Sequence, residues 1–280
     1  MSRDNTDDVI RYYDKAESRI GYGLFLGGAK HFGLYGPGGP AWDWQAALRR
    51  MEDKLAKELA LPSGSYVLDA GCGDGGVAIR LAAKYGIKIT GLDILDFNIQ
   101  EATRRASRAE LEKSVSFRRM SYADLGFPDE TFDGVYTMEA LVHAADAEIV
   151  LCEFHRVLKP RRGHLAMFEY SRAPDHDMPA RAAEVFREVN EAAAMPSYQR
   201  FEHGVLEQLL ENAGFTSVTV EDITAGMLPM LRCFALIAKV PYEVARALKR
   251  PDMAINVMSA VGFWRYRRYF RYNVYTARKS

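Results

Sequence analysis

The sequence predicts an α/β fold, a doubly wound, seven-stranded, mostly parallel sheet with a helical cap. Three observations predict it. Short apolar runs that read as strands alternate with runs of helical spacing. One turn between them, "VLDAGCGDGG" (67–76), is rich in glycine. Two stretches, 172–203 and 223–265, break the alternation and are rich in Met, aromatics and Pro.

The elements follow in order. Residues 42–60 carry helical spacing, with Leu48, Met51, Leu55 and Leu59 on one face. "SYVLDAG" reads as a strand running into the Gly-rich turn, and "VAIRLAAKYG" as a helix closed by Gly86. "KITGLDIL" is a second strand, and "DFNIQEATRRASRAELEK" a second helix of the alternation with Asp96 as N-cap. "VSFRRMSYADL" and "FDGVYTME" are the third and fourth strands, and "AEIVLCEFHRVLKP" is a helix stopped by Pro160. "GHLAMFEYS" is a fifth strand, "GVLEQLLENAGF" a helix, "SVTVEDI" a strand and "NVYTARK" the last strand. The two unfitted stretches leave the sheet beyond strand carboxyl ends, so they are expected to cap a binding crevice. The expected division is a helical lid over 1–60, a core over 61–222 plus 266–280, and a cap insertion over 223–265. Residues 172–203 contribute to the cap.

Bulk properties narrow the function. Thirty-seven Lys and Arg balance 37 Asp and Glu, so no global field favours nucleic acid. Cys72, Cys152 and Cys233 are far apart and odd in number, which argues against a disulfide framework and for a reducing compartment. The polar, acidic "MSRDNTDDVI" is unlike a secretory signal, and "MLPMLRCFALIAKV" is too short and too interrupted to span a bilayer. The expectation is a cytoplasmic protein with no stable membrane insertion. Asp175, His176 and Asp177 are close in sequence but have no helix or strand to hold them as metal ligands, so no metal is expected.

The Gly-rich turn carries the chemistry. Gly71 and Gly73 allow a tight turn and a close approach of ligand to backbone, and Gly71-x-Gly73-x-x-Gly76 matches a dinucleotide fingerprint. Carboxylates at Asp69 and Asp74 would crowd a pyrophosphate but serve a zwitterionic or cationic ligand. Asp93, ending the second strand, can accept from both hydroxyls of a ribose. Asp124, after the third, is placed to meet an adenine amino group.

Together these features resemble the class I S-adenosylmethionine-dependent methyltransferases over most of residues 60–225. The resemblance implies S-adenosylmethionine as cofactor, with Asp69, Gly71, Cys72 and Gly73 around its methionine part. It also implies Asp93 and Ile94 at the ribose and adenine, and Tyr122, Ala123 and Asp124 closing over the base. Met138 on the fourth strand and Tyr13 in the lid complete the expected set. Cys72 reads as a small residue packed under the turn rather than a nucleophile.

"VYTMEALVHAAD" followed by "FHRVLKP" is similar to the sterol C-methyltransferases, as are "RYYDKAESRIGYG", "GLDILDFNIQEA" and "YTARK". "HFGLYGPG" is similar to the N-terminal region of tocopherol methyltransferases. This resemblance implies a small-molecule enzyme methylating a carbon of an isoprenoid alkene. The resulting carbocation is stabilised by aromatic faces, shielded from water, and quenched by proton loss or cyclisation. Tyr12, Tyr13, Tyr22, Phe25, His31, Phe32 and Tyr35 supply aromatics in the lid, and Tyr22 joins Glu139 and His143 as the expected catalytic set. His143 is expected as the base, with Glu139 orienting it or stabilising positive charge.

Asp74 in the turn, the poor match of 172–203 and the shorter N-terminus depart from the sterol enzymes. A smaller prenyl group, on an aromatic or alkaloid core, is therefore the expected substrate. O- or N-methylation of a phenol or amine, and a non-catalytic cofactor-binding protein, remain the alternatives. "FWRYRRYFRY" reads as a helix leading into the last strand, its arginines outside or facing a prenyl diphosphate or anionic membrane surface. An apolar N-terminal helix can exchange between subunits, so a homo-oligomer is a further expectation.

Overall fold

The computed structural model describes residues 31–36, 38–247 and 255–280. The first helix, α1 (Trp44–Leu59), begins where Asp43 accepts the Ala46 N–H at 3.2 Å and ends at Ala60 in a left-handed conformation. Its Leu48, Met51, Leu55 and Leu59 are buried, as their spacing predicts. The alternation then proceeds as β1 (Tyr66–Ala70), α2 (Gly76–Tyr85), β2 (Lys88–Asp93), α3 (Asp96–Arg108), β3 (Val115–Arg119) and β4 (Gly134–Met138). It continues through α4 (Ala147–Val157), β5 (His164–Arg172), α5 (Ala180–Ala192), α6 (Val205–Asn212) and β6 (Phe215–Asp222). Helices α7 (Thr224–Ala247) and α8 (Ile255–Arg265) precede the last strand, β7 (Phe270–Lys279).

The seven strands form one sheet in the order β3-β2-β1-β4-β5-β7-β6. The β1, β2, β3, β4 and β5 pairings are parallel, whereas β7 runs antiparallel to both β5 and β6. The strand order reverses between β1 and β4, so the carboxyl ends of these two strands flank a crevice where ligands bind in such sheets. A doubly wound, mostly parallel sheet is what the alternation predicts.

Several boundaries differ from the sequence reading, each for a local reason. The third strand stops at Arg119, because Ser121 folds the chain into a turn by accepting the Ala123 and Asp124 N–H groups. The helix expected over 96–113 stops at Arg108, and Glu110 adopts φ 56° to turn the chain towards β3. The sixth strand starts at Phe215 and carries a bulge between Thr216 and Thr219, with Ser217 at φ 52°. The last strand starts at Phe270, so the end of the aromatic–arginine stretch is strand, with Phe270 and Tyr272 buried and Arg271 exposed.

Helix α8 packs on α7 and α5, and Gly262 is why it can: a Cβ there would lie 2.8 Å from Val185 Cγ1. Its Phe263 touches Phe186 of α5, Tyr170 of β5, Tyr198 and Phe270 of β7, with centroids 5.2–6.4 Å apart. A strap, residues 31–36, crosses beside these elements. Its Leu34 N–H donates to the Ala47 carbonyl of α1 at 2.9 Å, and its Tyr35 N–H to the Gly226 carbonyl of α7 at 2.8 Å. Among the described residues, no helix is long and apolar enough to cross a membrane.

Candidate active site

The crevice is lined first by the turn after β1. Gly71 and Cys72 donate their N–H groups to the Leu92 carbonyl at 2.9 and 2.8 Å, folding the turn against β2. Gly71 has φ 95°, and a Cβ on it would stand 2.5 Å from the Ala140 side chain, so only glycine lets the turn and the β4 exit approach. Cys72 is buried, with its Sγ directed to the Gly73 carbonyl at 3.6 Å.

Two carboxylates face this turn differently. Asp93 accepts from the Gly73 N–H at 3.1 Å, the Leu95 N–H at 2.9 Å and the Asn98 amide at 3.0 Å, which fixes its orientation at the end of β2. Asp69, at the end of β1, is 3% exposed, and its Oδ2 has no hydrogen-bond partner. Burial, aided by the nearby Asp93 charge and opposed by the Tyr136 hydroxyl, pushes Asp69 up to about 7. Asp74 turns away from the crevice, meeting Arg105 of α3 at 2.5 Å and accepting the Gly76 N–H at 3.2 Å. The acidic residue that departs from the sterol enzymes' turn is thus a staple between turn and helix.

Beyond β3, the Tyr122 hydroxyl donates to the Ala140 carbonyl at 2.9 Å, tying the segment with Ala123 and the exposed Asp124 to the β4 exit. Burial, with the Glu169 and Asp93 charges, holds the Tyr122 hydroxyl well above its ordinary range, so it stays a donor. Ile94 and Met138 are half-buried at the ends of β2 and β4. The structure brings all these sequence-predicted residues to the carboxyl ends of β1, β2, β3 and β4. Tyr13 and Tyr22, like Tyr12 and Phe25, lie outside the described residues.

A second set of groups gathers where β4 ends. Glu139 has φ 56°, an uncommon conformation for a residue with a side chain, and the surrounding bonds hold it. Its Oε1 accepts the Phe32 N–H of the strap at 2.6 Å and the Tyr272 hydroxyl of β7 at 2.8 Å, and its Oε2 accepts the Tyr170 hydroxyl of β5. Burial raises the Glu139 carboxyl above its usual value despite these donors. The imidazole whose charge acts on Glu139 is that of His31, which donates from Nδ1 to the Phe32 carbonyl and stands 3.6 Å from Glu52. Burial pulls His31 down, but Glu52, the Phe32 carbonyl and Glu139 together hold it above its ordinary value. His143 ends a short 3₁₀ turn, Leu141–His143, and its Nδ1 donates to the Ala194 carbonyl at 2.8 Å. The sequence reading has Glu139 orienting His143 or stabilising positive charge; in the structure His143 Nδ1 donates to the Ala194 carbonyl, and the strap with two tyrosines engages the Glu139 carboxylate.

Sequence reasoning missed Tyr170, Tyr272 and Glu169. Glu169 is fully buried on β5, and its Oε1 accepts the Ala140 and Leu141 N–H groups at 2.9 and 2.7 Å. One signal pointed to it: a lone acidic residue within the apolar "LAMFEYS". Among the described residues, no group of His, Cys, Asp and Glu could hold a metal ion, and Asp175, His176 and Asp177 lie in a short exposed turn.

The donor set fits the expected cofactor. The unpartnered Asp69 Oδ2 suits a cationic amino group, and the fixed Asp93 carboxylate suits a diol.

Comparison with known proteins agrees with this fit. A family model described as a methyltransferase domain matches residues 67–161. The S-adenosyl-L-methionine-dependent Diels-Alderase iccD of Talaromyces variabilis is 39% identical, over 97% of this chain and 94% of that protein. Sterol 24-C-methyltransferase erg6 of Aspergillus fumigatus is 38% identical, over 60% of this chain and 44% of its own length. Among solved structures, the [4+2]-cyclase SpnF superposes with a TM-score of 0.78 at 22% identity, covering 99% of this chain and 97% of that one. The turn after β1, the carboxylates around it and the full-length likeness converge: the chain belongs to the class I S-adenosylmethionine-dependent methyltransferase family of enzymes, with S-adenosylmethionine as its cofactor.

Proposed function

We propose that the chain catalyses an intramolecular [4+2] cycloaddition of a linear polyene, with S-adenosylmethionine bound but not consumed. The observation that carries this reading is the extent of the likeness to a Diels-Alderase. A match over 97% of the chain takes in the strap and the segments around α5, α7 and α8, whereas the sterol enzyme's 60% need not extend beyond the sheet and its helices. When bound, the cofactor supplies a sulfonium, a fixed positive charge and an electrophilic methyl.

In the cycloaddition a diene and an alkene exchange three π bonds for two carbon–carbon σ bonds and one π bond. No atom, proton or electron enters or leaves. Such a reaction needs alignment and exclusion of water rather than a base. Glu139 suits that demand, because its carboxylate is engaged by the Phe32 N–H, Tyr170 and Tyr272. In this reading it anchors the strap over the β4 exit and places an aromatic wall of Phe32, Tyr170 and Tyr272 against the substrate. His143, turned by the Ala194 carbonyl, meets the substrate's polar end. Asp69, Gly71, Cys72, Gly73, Asp93, Ile94, Tyr122, Ala123, Asp124 and Met138 hold the cofactor.

A second reading is carbon methylation of an isoprenoid alkene. One observation favours it: the Glu139 carboxylate is buried beside aromatic rings, surroundings that stabilise a carbocation. His143 would then take the proton.

One incubation separates the two. The protein is given methyl-labelled S-adenosylmethionine with linear polyenes that carry a diene and a carbonyl-activated alkene, with geranylated aromatics, and with simple phenols. Products are read by mass spectrometry and NMR. The proposal expects an unlabelled cyclic isomer of the polyene's own mass, formed faster than without protein. Label on carbon of a prenylated member would replace it by the second reading, and label on oxygen or nitrogen would remove both.

A further inference from the structure

We infer that Glu169 is the positioning residue of this site: its carboxyl group holds the turn after β4 that joins the cofactor side of the crevice to the substrate side. The inference rests on the reading of the site given above.

The β4–β5 ladder runs to Met138 opposite Phe168, and the Glu139 N–H makes one more bond, to the Phe168 carbonyl at 2.8 Å. There the chain leaves the sheet, and the Ala140 and Leu141 N–H groups begin a 3₁₀ turn that no side chain of its own caps. Helical turns leave their first N–H groups without partners, and burying them unpaired is costly. Glu169 takes both on Oε1, at 2.9 and 2.7 Å, from the next position along β5. Its side chain therefore continues the ladder and caps the turn at once.

What it holds matters on three sides. Ala140 is the residue against which Gly71 of the cofactor turn rests, and its carbonyl takes the Tyr122 hydroxyl. The residue before it is Glu139, strained at φ 56° and tied to the strap and to Tyr170 and Tyr272. Two residues beyond Leu141 is His143. A turn that slipped would move all three together.

The protonation of Glu169 agrees with this role. Burial, helped by the Glu139 charge and opposed by the Leu141 and Ala140 N–H groups, pushes the carboxyl up to about 8. A neutral acid keeps its carbonyl oxygen as the acceptor for both N–H groups, and Oε2, which has no partner, is left to carry the proton. Glutamine has the same shape and the same acceptor.

The test compares Glu169→Gln, Glu169→Asp and Glu169→Leu with Met167→Ala, a buried change on the same face of β5 that removes no hydrogen bond to the turn. Cofactor affinity is measured by calorimetry, cyclisation by its kcat and KM, and folding by thermal melting. Gln is expected to stay within about twofold of the parent in affinity and KM, while Asp, a methylene too short, and Leu lose about tenfold in each. Met167→Ala should melt earlier with affinity and KM unchanged. Should Leu fail to fold, Asp against Gln decides. The inference is overturned if Asp and Leu bind cofactor like the parent, or if Gln loses as much as Asp. Cofactor affinity needs no turnover, so a parent without cyclase activity would sink the proposed function and leave this test intact.

Discussion

At the scale of single residues, the site is governed by where carboxyl groups are buried and what they are given to bind. Asp93 and Asp69 close adjacent parallel strands, yet one accepts three hydrogen bonds and the other keeps an oxygen unpaired. Held at about 7, Asp69 is neutral below that pH and ionised above it. A cationic amino group binds the ionised form. Affinity for S-adenosylmethionine should therefore rise by about tenfold per pH unit between about pH 5 and about pH 7, then level off. Asp69→Asn, which cannot titrate, should lose that slope and bind more weakly at about pH 8, as calorimetry across the range would record. A flat parent profile would detach Asp69 from the amino group. Residues 69, 71 and 93 were legible in the sequence, because a turn and the two strand ends beside it lie within one short stretch. Glu139 was legible only as a carboxylate at a strand end. Its donors Phe32 and Tyr272 stand 107 and 133 residues away, and no local pattern pairs them.

At the scale of elements, the close packing of α8 is what seats the aromatic groups. Phe263 meets Tyr170, Tyr198, Phe186 and Phe270 only because Gly262 lets its helix approach Val185. Gly262→Val should force the two helices apart and destabilise the fold by about 1–3 kcal/mol in chemical denaturation. An unchanged midpoint would mean the helices have room that the 2.8 Å approach denies. A short turn after α8, Arg267–Tyr269, holds two arginines of "FWRYRRYFRY". Arg267 and Arg268 lie over the rings of Trp264 and Tyr269 at 4.3 and 4.6 Å, so these cations already have aromatic partners on the surface.

At the scale of the whole molecule, the Gly-rich turn and the strap stand on opposite sides of the β4 exit. Turn, strands β1 and β2 and the segment after β3 make one side, and the strap, β5 and β7 make the other. A ligand that binds only the folded chain stabilises it by mass action, so saturating S-adenosylmethionine at a hundred times its Kd should add about 2.7 kcal/mol to unfolding. The rise in melting temperature should track concentration, and Gly71→Ala, which presses on Ala140, should abolish it while the variant still melts cooperatively. A parent insensitive to the cofactor would contradict the fit of the crevice.

The sequence by itself determined the alternation of strands and helices, the place of the Gly-rich turn and the acidic residues around it. Hydrophobic periodicity, caps and glycine turns are local signals, written within a few residues of where they act. Only the tertiary structure decided that β7 enters between β5 and β6, antiparallel to both. That placement brings Tyr272 beside Tyr170, onto the Glu139 carboxylate, and closes the strap over it. Strand order and side-chain partnership across the sheet depend on which distant surfaces bury one another best, and that is settled when the whole chain packs.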